Sequence, residues 1–295
     1  MLSHFKLIDI KDMRFVCRVF AAWLFAVTLA PQVPLCAAPL TGISPPPGSL
    51  LTLRFADLPP TLQAQADGSD AEPRATLFFP ENYTFERDFP LFIWNGGGTG
   101  GDGSNLGWPR FMTGERDFVI LSVPLWKAEF QPSDFTGDPD VEGDENWGAI
   151  VLRDADAAVN WCALRQVLDE VFASVPNLDR SKVFIGGFSN GAHLAAILLN
   201  DPAIPLTDVA QGFVLAEGGD RLRRFAALGG RPALVMQGGE SHGGQWMDGL
   251  RDGLEDAGAD VTYVKMEGAG HAIPENYARQ VGVWLRKQAG PETEK

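Results

Sequence analysis

Cysteine is nearly missing: there are three in 295 residues. Two of them, Cys17 and Cys36, fall within the first 38 residues, so Cys162 alone remains for the rest of the chain. That excludes an internal disulfide there, and no Cys/His spacing suggests a zinc site. In the apolar helical stretch 158–168, Cys162 is expected to be a packed core residue, since a free cysteine behaves as a small hydrophobe. Histidine is almost as scarce: four in all, three of them (His193, His242 and His271) beyond residue 38. Basic residues are outnumbered, 24 against 38 acidic, for a net charge of −14. An acidic surface repels phosphate backbones and anionic lipid, so nucleic acid is not an expected partner. No apolar run is long enough to span a bilayer, and there is no internal repeat.

The longest apolar run, residues 19–30 (VFAAWLFAVTLA), follows Arg14 and Arg18 and precedes Pro31, Pro34 and the small residues Ala37-Ala38. A charged region, about 12 apolar residues and a small-residue cleavage zone make a secretory signal peptide over 1–38. Met13 is an alternative start. Export to the periplasm or medium follows, with no stable membrane association after cleavage. Losing four basic and two acidic residues takes the mature charge from −14 to −16. Such a surface favours neutral or cationic substrates.

What is present is an alternating pattern. A Pro-rich lead-in covers 39–49. Short apolar strands are predicted at 50–55, 75–79, 91–94, 118–123, 183–185, 213–216, 233–237 and 261–266. Helices are predicted at 150–175, 190–199, 245–257 and 275–287. With 45% hydrophobic content, one α/β domain over 50–288 accounts for the chain, with a loose tail at 289–295. The expected architecture has three layers: a mostly parallel eight-stranded sheet with helices on both faces. Only about 16 residues, 217–232, join the sixth and seventh strands. That leaves no room for a large cap domain there.

The excursion 124–148 is acidic and glycine-rich, with Trp126, Phe130, Phe135 and Trp147 interspersed. Long loops are usually functional or disordered, and a pocket wall is expected here. Its segment Asp138-Pro139-Asp140-Val141-Glu142-Gly143 copies the start of a calcium loop. The twelfth position is Ala149 instead of Glu, and Pro139 constrains the backbone, so no metal is expected.

The fifth strand runs into Gly187-Phe188-Ser189-Asn190-Gly191 and then directly into an Ala/Leu-rich helix. A sharp strand-to-helix turn lifts a serine hydroxyl clear of its neighbours and tolerates only small residues two before and two after it. Ser189 is therefore the candidate nucleophile. His271, in the small-residue loop after the eighth strand, is the candidate general base. His193 lies one helical turn beyond Ser189 and reads as an ordinary helix histidine. His242, after the seventh strand, reads equally as a site-lining or an exposed loop residue. An oxyanion needs two backbone N–H donors: Asn190 after the nucleophile, and Gly97 in the run Trp94-Asn95-Gly96-Gly97-Gly98 after the third strand. No Gly-Lys-[Ser/Thr] follows that run, so it is not a phosphate loop.

These three motifs (Asn-Gly-Gly-Gly, Gly-Phe-Ser-Asn-Gly and Gly-Ala-Gly-His) resemble those of the α/β-hydrolase superfamily. Gly-Gly-Phe-Ser-Asn-Gly-Ala looks like its secreted feruloyl-esterase, polyhydroxybutyrate-depolymerase and dienelactone-hydrolase-like branch. The resemblance covers roughly 50–288 and implies a serine carboxylic-ester hydrolase that works through an acyl-enzyme and needs no cofactor. Small soluble esters, aryl or acylated-carbohydrate, are the implied substrates. One departure stands out. The family places an acid after the seventh strand as Gly-x-x-Asp, and here Gly238-Gly239-Glu240-Ser241 puts Ser241 at that position. Glu240 is the first choice for the acid, with Asp248 and then Glu217, at the end of the sixth strand, as alternatives. A prolyl-oligopeptidase-like peptidase would share the motifs but usually carries a gating domain, and none fits before residue 50. A non-catalytic binding protein of this fold is the other alternative, raised by the missing aspartate.

Overall fold

The computed structural model describes residues 45–54, 74–98, 103–127, 135–136, 149–150, 152–219, 227–241 and 244–291. The predicted leader, most of the Pro-rich lead-in, residues 128–134 and 137–148 of the excursion, His242 and the last four residues lie outside them.

All eight predicted strands form one sheet. They are β1 (Leu50–Arg54), β2 (Arg74–Phe78), β3 (Phe89–Asn95), β4 (Val119–Val123), β7 (Leu178–Phe188), β8 (Gly212–Ala216), β9 (Pro232–Gly238) and β10 (Asp260–Met266), in the order β1-β2-β4-β3-β7-β8-β9-β10. A separate two-residue ribbon pairs β5 (Phe135–Thr136) with β6 (Ala149–Ile150). The β1–β2 and β2–β4 pairs are antiparallel, and the other five are parallel. Parallel strands are covered on both faces, which is why they read as unbroken apolar runs. In β3, Leu91 and Ile93 enter one core while Phe92 and Trp94 enter the other; β4, β7, β8 and β9 alternate in the same way.

On the first face lie α2 (Ala157–Ser174), α3 (Asn190–Asn200) and α5 (Gly244–Asp256), with Leu164, Leu194 and Leu250 in that core. On the second lie α1 (Gly107–Thr113) and α6 (Glu275–Ala289), contributing Met112, Val281 and Leu285. A one-turn helix, α4 (Leu206–Val209), precedes β8. Helix α1 was not predicted. It packs against α6 so closely that a Cβ on Gly282 would lie 1.8 Å from the Met112 carbonyl oxygen.

Three expectations change. Cys162 is exposed, because α2 buries Ala157, Asn160, Ala163, Leu164, Val167, Leu168 and Val171, and position 162 falls on the other side. The helix expected from residue 150 starts at Ala157, and Ile150 pairs in the ribbon. Trp126, expected in a pocket wall, is buried: Asn160 accepts from its N–H and donates to its carbonyl.

Candidate active site

The strand order brings the C-terminal ends of β3, β7, β8, β9 and β10 together along one edge. Ser189 stands between β7 and α3 with φ 53° and ψ −117°. A non-glycine residue held there is strained by about 1–3 kcal/mol and persists only where its surroundings enforce it. The turn is enforced by contact. A Cβ on Gly187 would lie 2.2 Å from the Gly191 carbonyl carbon, and one on Gly191 2.1 Å from the Asn95 carbonyl oxygen. The Ser189 N–H donates to Ala216 (2.8 Å) and its carbonyl accepts from His193 N–H (3.0 Å), which joins the turn to β8 and starts α3.

Ser189 Oγ lies 2.8 Å from His271 Nε2, and His271 Nδ1 lies 3.2 Å from Glu217 Oε2. The imidazole is 40% exposed, while the Glu217 side chain is only 1% exposed. Phe188 packs beside the imidazole, with ring centroids 4.9 Å apart. Glu217 directly follows β8 and shares the unusual backbone of Ser189, again with φ 53°. Its N–H donates to Met236 (2.9 Å), and its Oε1 accepts from the Gly238 N–H. A carboxylate held by two elements and turned toward the imidazole can fix the Nδ1–H tautomer and stabilise an imidazolium.

The carboxylate bonded to His271 is thus that of Glu217 and not that of Glu240. Glu240 is exposed in the turn after β9, its N–H bonded to the Ala269 carbonyl. Asp248, on α5, is exposed, bonded instead to Arg251 (3.2 Å) and to the Tyr263 hydroxyl (3.1 Å). The sequence carried a signal for Glu217: an acid at a strand end followed by Gly218-Gly219. A Cβ at Gly218 would sit 2.0 Å from the Ser189 carbonyl oxygen.

Gly97 lies against the serine turn, its notional Cβ 2.9 Å from Phe188 Cδ1 and 3.3 Å from Ser189 Cβ. Asn190 is the first residue of α3, so its N–H belongs to the first turn, at the positive end of the helix dipole. Among the described residues, no group of three His, Cys, Asp or Glu side chains is arranged to hold a metal ion.

No protein-family model matches the sequence, and no curated protein matches it. Solved structures do. A fungal esterase from Rhizomucor miehei aligns with TM-score 0.55 at 15% identity, over 97% of this chain and 93% of its own. TT1662 from Thermus thermophilus gives 0.53 at 17%, over 82% and 99%. The Bacillus cereus carboxylesterase gives 0.50 at 22%, over 69% and 89%. The chain has the α/β-hydrolase fold. The turn after β7, the loop after β3 and the loop after β10 meet at one edge of its sheet and carry Ser189, Gly97 and His271.

Proposed function

We propose that the protein is an exported serine carboxylic-ester hydrolase working through a Ser189–His271–Glu217 triad. The observation that carries this reading is His271 itself, with one ring nitrogen 2.8 Å from Ser189 Oγ and the other 3.2 Å from Glu217. Ser189 Oγ attacks the ester carbonyl carbon while its proton passes to His271 Nε2, and Glu217 stabilises the imidazolium. The N–H groups of Asn190 and Gly97 hold the tetrahedral oxyanion. Collapse expels the alkoxide, which takes the proton from His271. Water then attacks the acyl-enzyme with His271 again as base, releasing the carboxylic acid and restoring Ser189.

Small soluble esters with an aryl or acylated-carbohydrate part are the proposed substrates. Two exposed tryptophans support this: Trp108 in the first turn of α1 and Trp246 in the first turn of α5, 42% and 70% exposed. Both helices begin at the C-terminal edge of the sheet, and flat apolar rings there suit aryl or sugar faces. The acidic surface disfavours anionic substrates. Export rests on the leader pattern in residues 1–38, with a periplasmic or secreted location. The non-catalytic alternative drew on Ser241 standing where an aspartate is usual, and a carboxylate reaching His271 from β8 takes that support away.

The test is intact-mass measurement after exposure to a fluorophosphonate. One adduct per wild-type chain, absent from Ser189→Ala and His271→Ala, is the expected result. A folded wild type that takes up no reagent would sink the hydrolase reading.

A further inference from the structure

Resting on that reading, we propose that the Asn190 side chain is a positioning group that sets the width of the oxyanion hole. The loop after β3 has three successive glycines, Gly96, Gly97 and Gly98, the last at φ 62°. Such a segment loses more conformational freedom on ordering than any other, yet its amide must stand within about 3 Å of a developing oxyanion. Asn190 Nδ2 donates to the Gly98 carbonyl at 2.8 Å, from a residue only 8% exposed. One residue therefore offers a backbone N–H to the oxyanion and ties down the loop that carries the second donor.

Asn95, at the other end of the loop, makes the matching tie. Its Nδ2 donates to the Gly186 carbonyl of β7 at 3.2 Å, and its buried Oδ1 has no partner among the described residues. Between the two amides, Gly191 admits the Asn95 and Gly96 carbonyls at distances a Cβ would forbid, 2.1 and 2.5 Å. Loop and turn thus meet backbone to backbone, and the Asn190 amide fixes where Gly97 stops relative to Ser189.

The experiment uses Asn190→Asp, which keeps the shape and removes the donor, and Asn190→Ala, which removes the tether without adding charge. Hydrogen exchange over residues 95–98 is measured beside the second-order rate of fluorophosphonate acylation, KM and Tm. Both variants should exchange faster there and acylate at least ten-fold more slowly. KM should stay within about three-fold and Tm close to wild type, a split that a general loss of folding would not give. Unchanged exchange and acylation would overturn the proposal. Faster exchange in a protein whose wild type does not react with the reagent would leave the tether standing and remove the hydrolase reading beneath it.

Discussion

Glu217 reaches His271 across the end of an intervening strand. Its carboxylate leaves β8, accepts the Gly238 N–H at the tip of β9 and stands 3.2 Å from the imidazole beyond β10. Gly238 makes the crossing possible, because a Cβ there would lie 2.1 Å from the Gly270 carbonyl oxygen, one residue before the histidine. Glu217 and the loop that carries His271 are therefore both held against Gly238.

The three candidate acids separate in a single kinetic series. Glu217→Gln is expected to lower kcat on a p-nitrophenyl ester by about 10⁴-fold, the size of loss seen when a triad acid is neutralised. Glu240→Ala and Asp248→Ala should stay within about two-fold of wild type, since neither carboxylate is bonded to His271. A large loss in Glu240→Ala with Glu217→Gln unaffected would reverse the assignment.

The contrast between these acids shows how far the sequence could be read. The eight strands were legible because burial on both faces leaves continuous apolar runs, as in Phe213-Val-Leu-Ala216. That Ser189, His271 and Gly97 would lie together was legible because each sits in a small-residue motif at the end of a strand. Glu217 ranks last among the three because the resemblance places the acid after the seventh strand, whereas its 54-residue separation from His271 is closed by strand order. Cys162 and α1 were misread for a related reason. Which side of α2 faces the sheet, and that Gly107-Trp-Pro-Arg-Phe-Met-Thr113 folds against α6, are decided by partners distant in sequence.

Close backbone contact at the serine turn predicts a sharp difference between two glycines. Gly191→Ala forces a Cβ against two carbonyl oxygens and should cost about 3 kcal/mol or more, with loss of fluorophosphonate labelling. Gly107→Ala, with nothing within 4 Å of its notional Cβ at the start of α1, should be neutral or mildly stabilising. Urea unfolding of both variants checks this, and equal midpoints would refute the contact argument.

Stability should fall at alkaline pH through two tyrosines. Burial pushes the Tyr83 hydroxyl, which donates to Asn177 Oδ1 at 2.6 Å, up to about 12. Tyr263 also rises to about 12, first through burial and then through its bond to Asp248. In the unfolded chain both ionise near about 10, so the folded state binds more protons between about 10 and 12. Their contribution is complete below about pH 10 and disappears as the pH approaches 12. Tyr83→Phe should flatten that decline. At pH 7 it should cost about 1–3 kcal/mol, because the buried Asn177 carbonyl loses its donor. Urea midpoints at pH 8, 10 and 11 test the sign, and a steeper decline in the variant would contradict it.

The last prediction concerns a buried charge pair far from the serine in sequence. Lys127 Nζ lies 3.3 Å from Asp156 Oδ2, with side chains only 2% and 4% exposed. The same carboxylate oxygen accepts the Arg153 N–H at 2.8 Å, and Asn160 donates to the Asp156 and Trp126 carbonyls at 2.8 and 2.7 Å. These bonds tie the chain just after β4 to the chain just before α2. Taking two charges from water is costly, so the pair need not stabilise the fold relative to an apolar pair. Removing one member is different, because the other remains buried without that partner. Lys127→Met should therefore cost about 3–5 kcal/mol by urea unfolding. Lys127→Met combined with Asp156→Leu should recover part of the loss, though the Arg153 N–H is then left without its acceptor. If the double variant were less stable than Lys127→Met alone, the Arg153 bond would outweigh the charge pair, and the knot would have to be read as backbone capping instead of ion pairing.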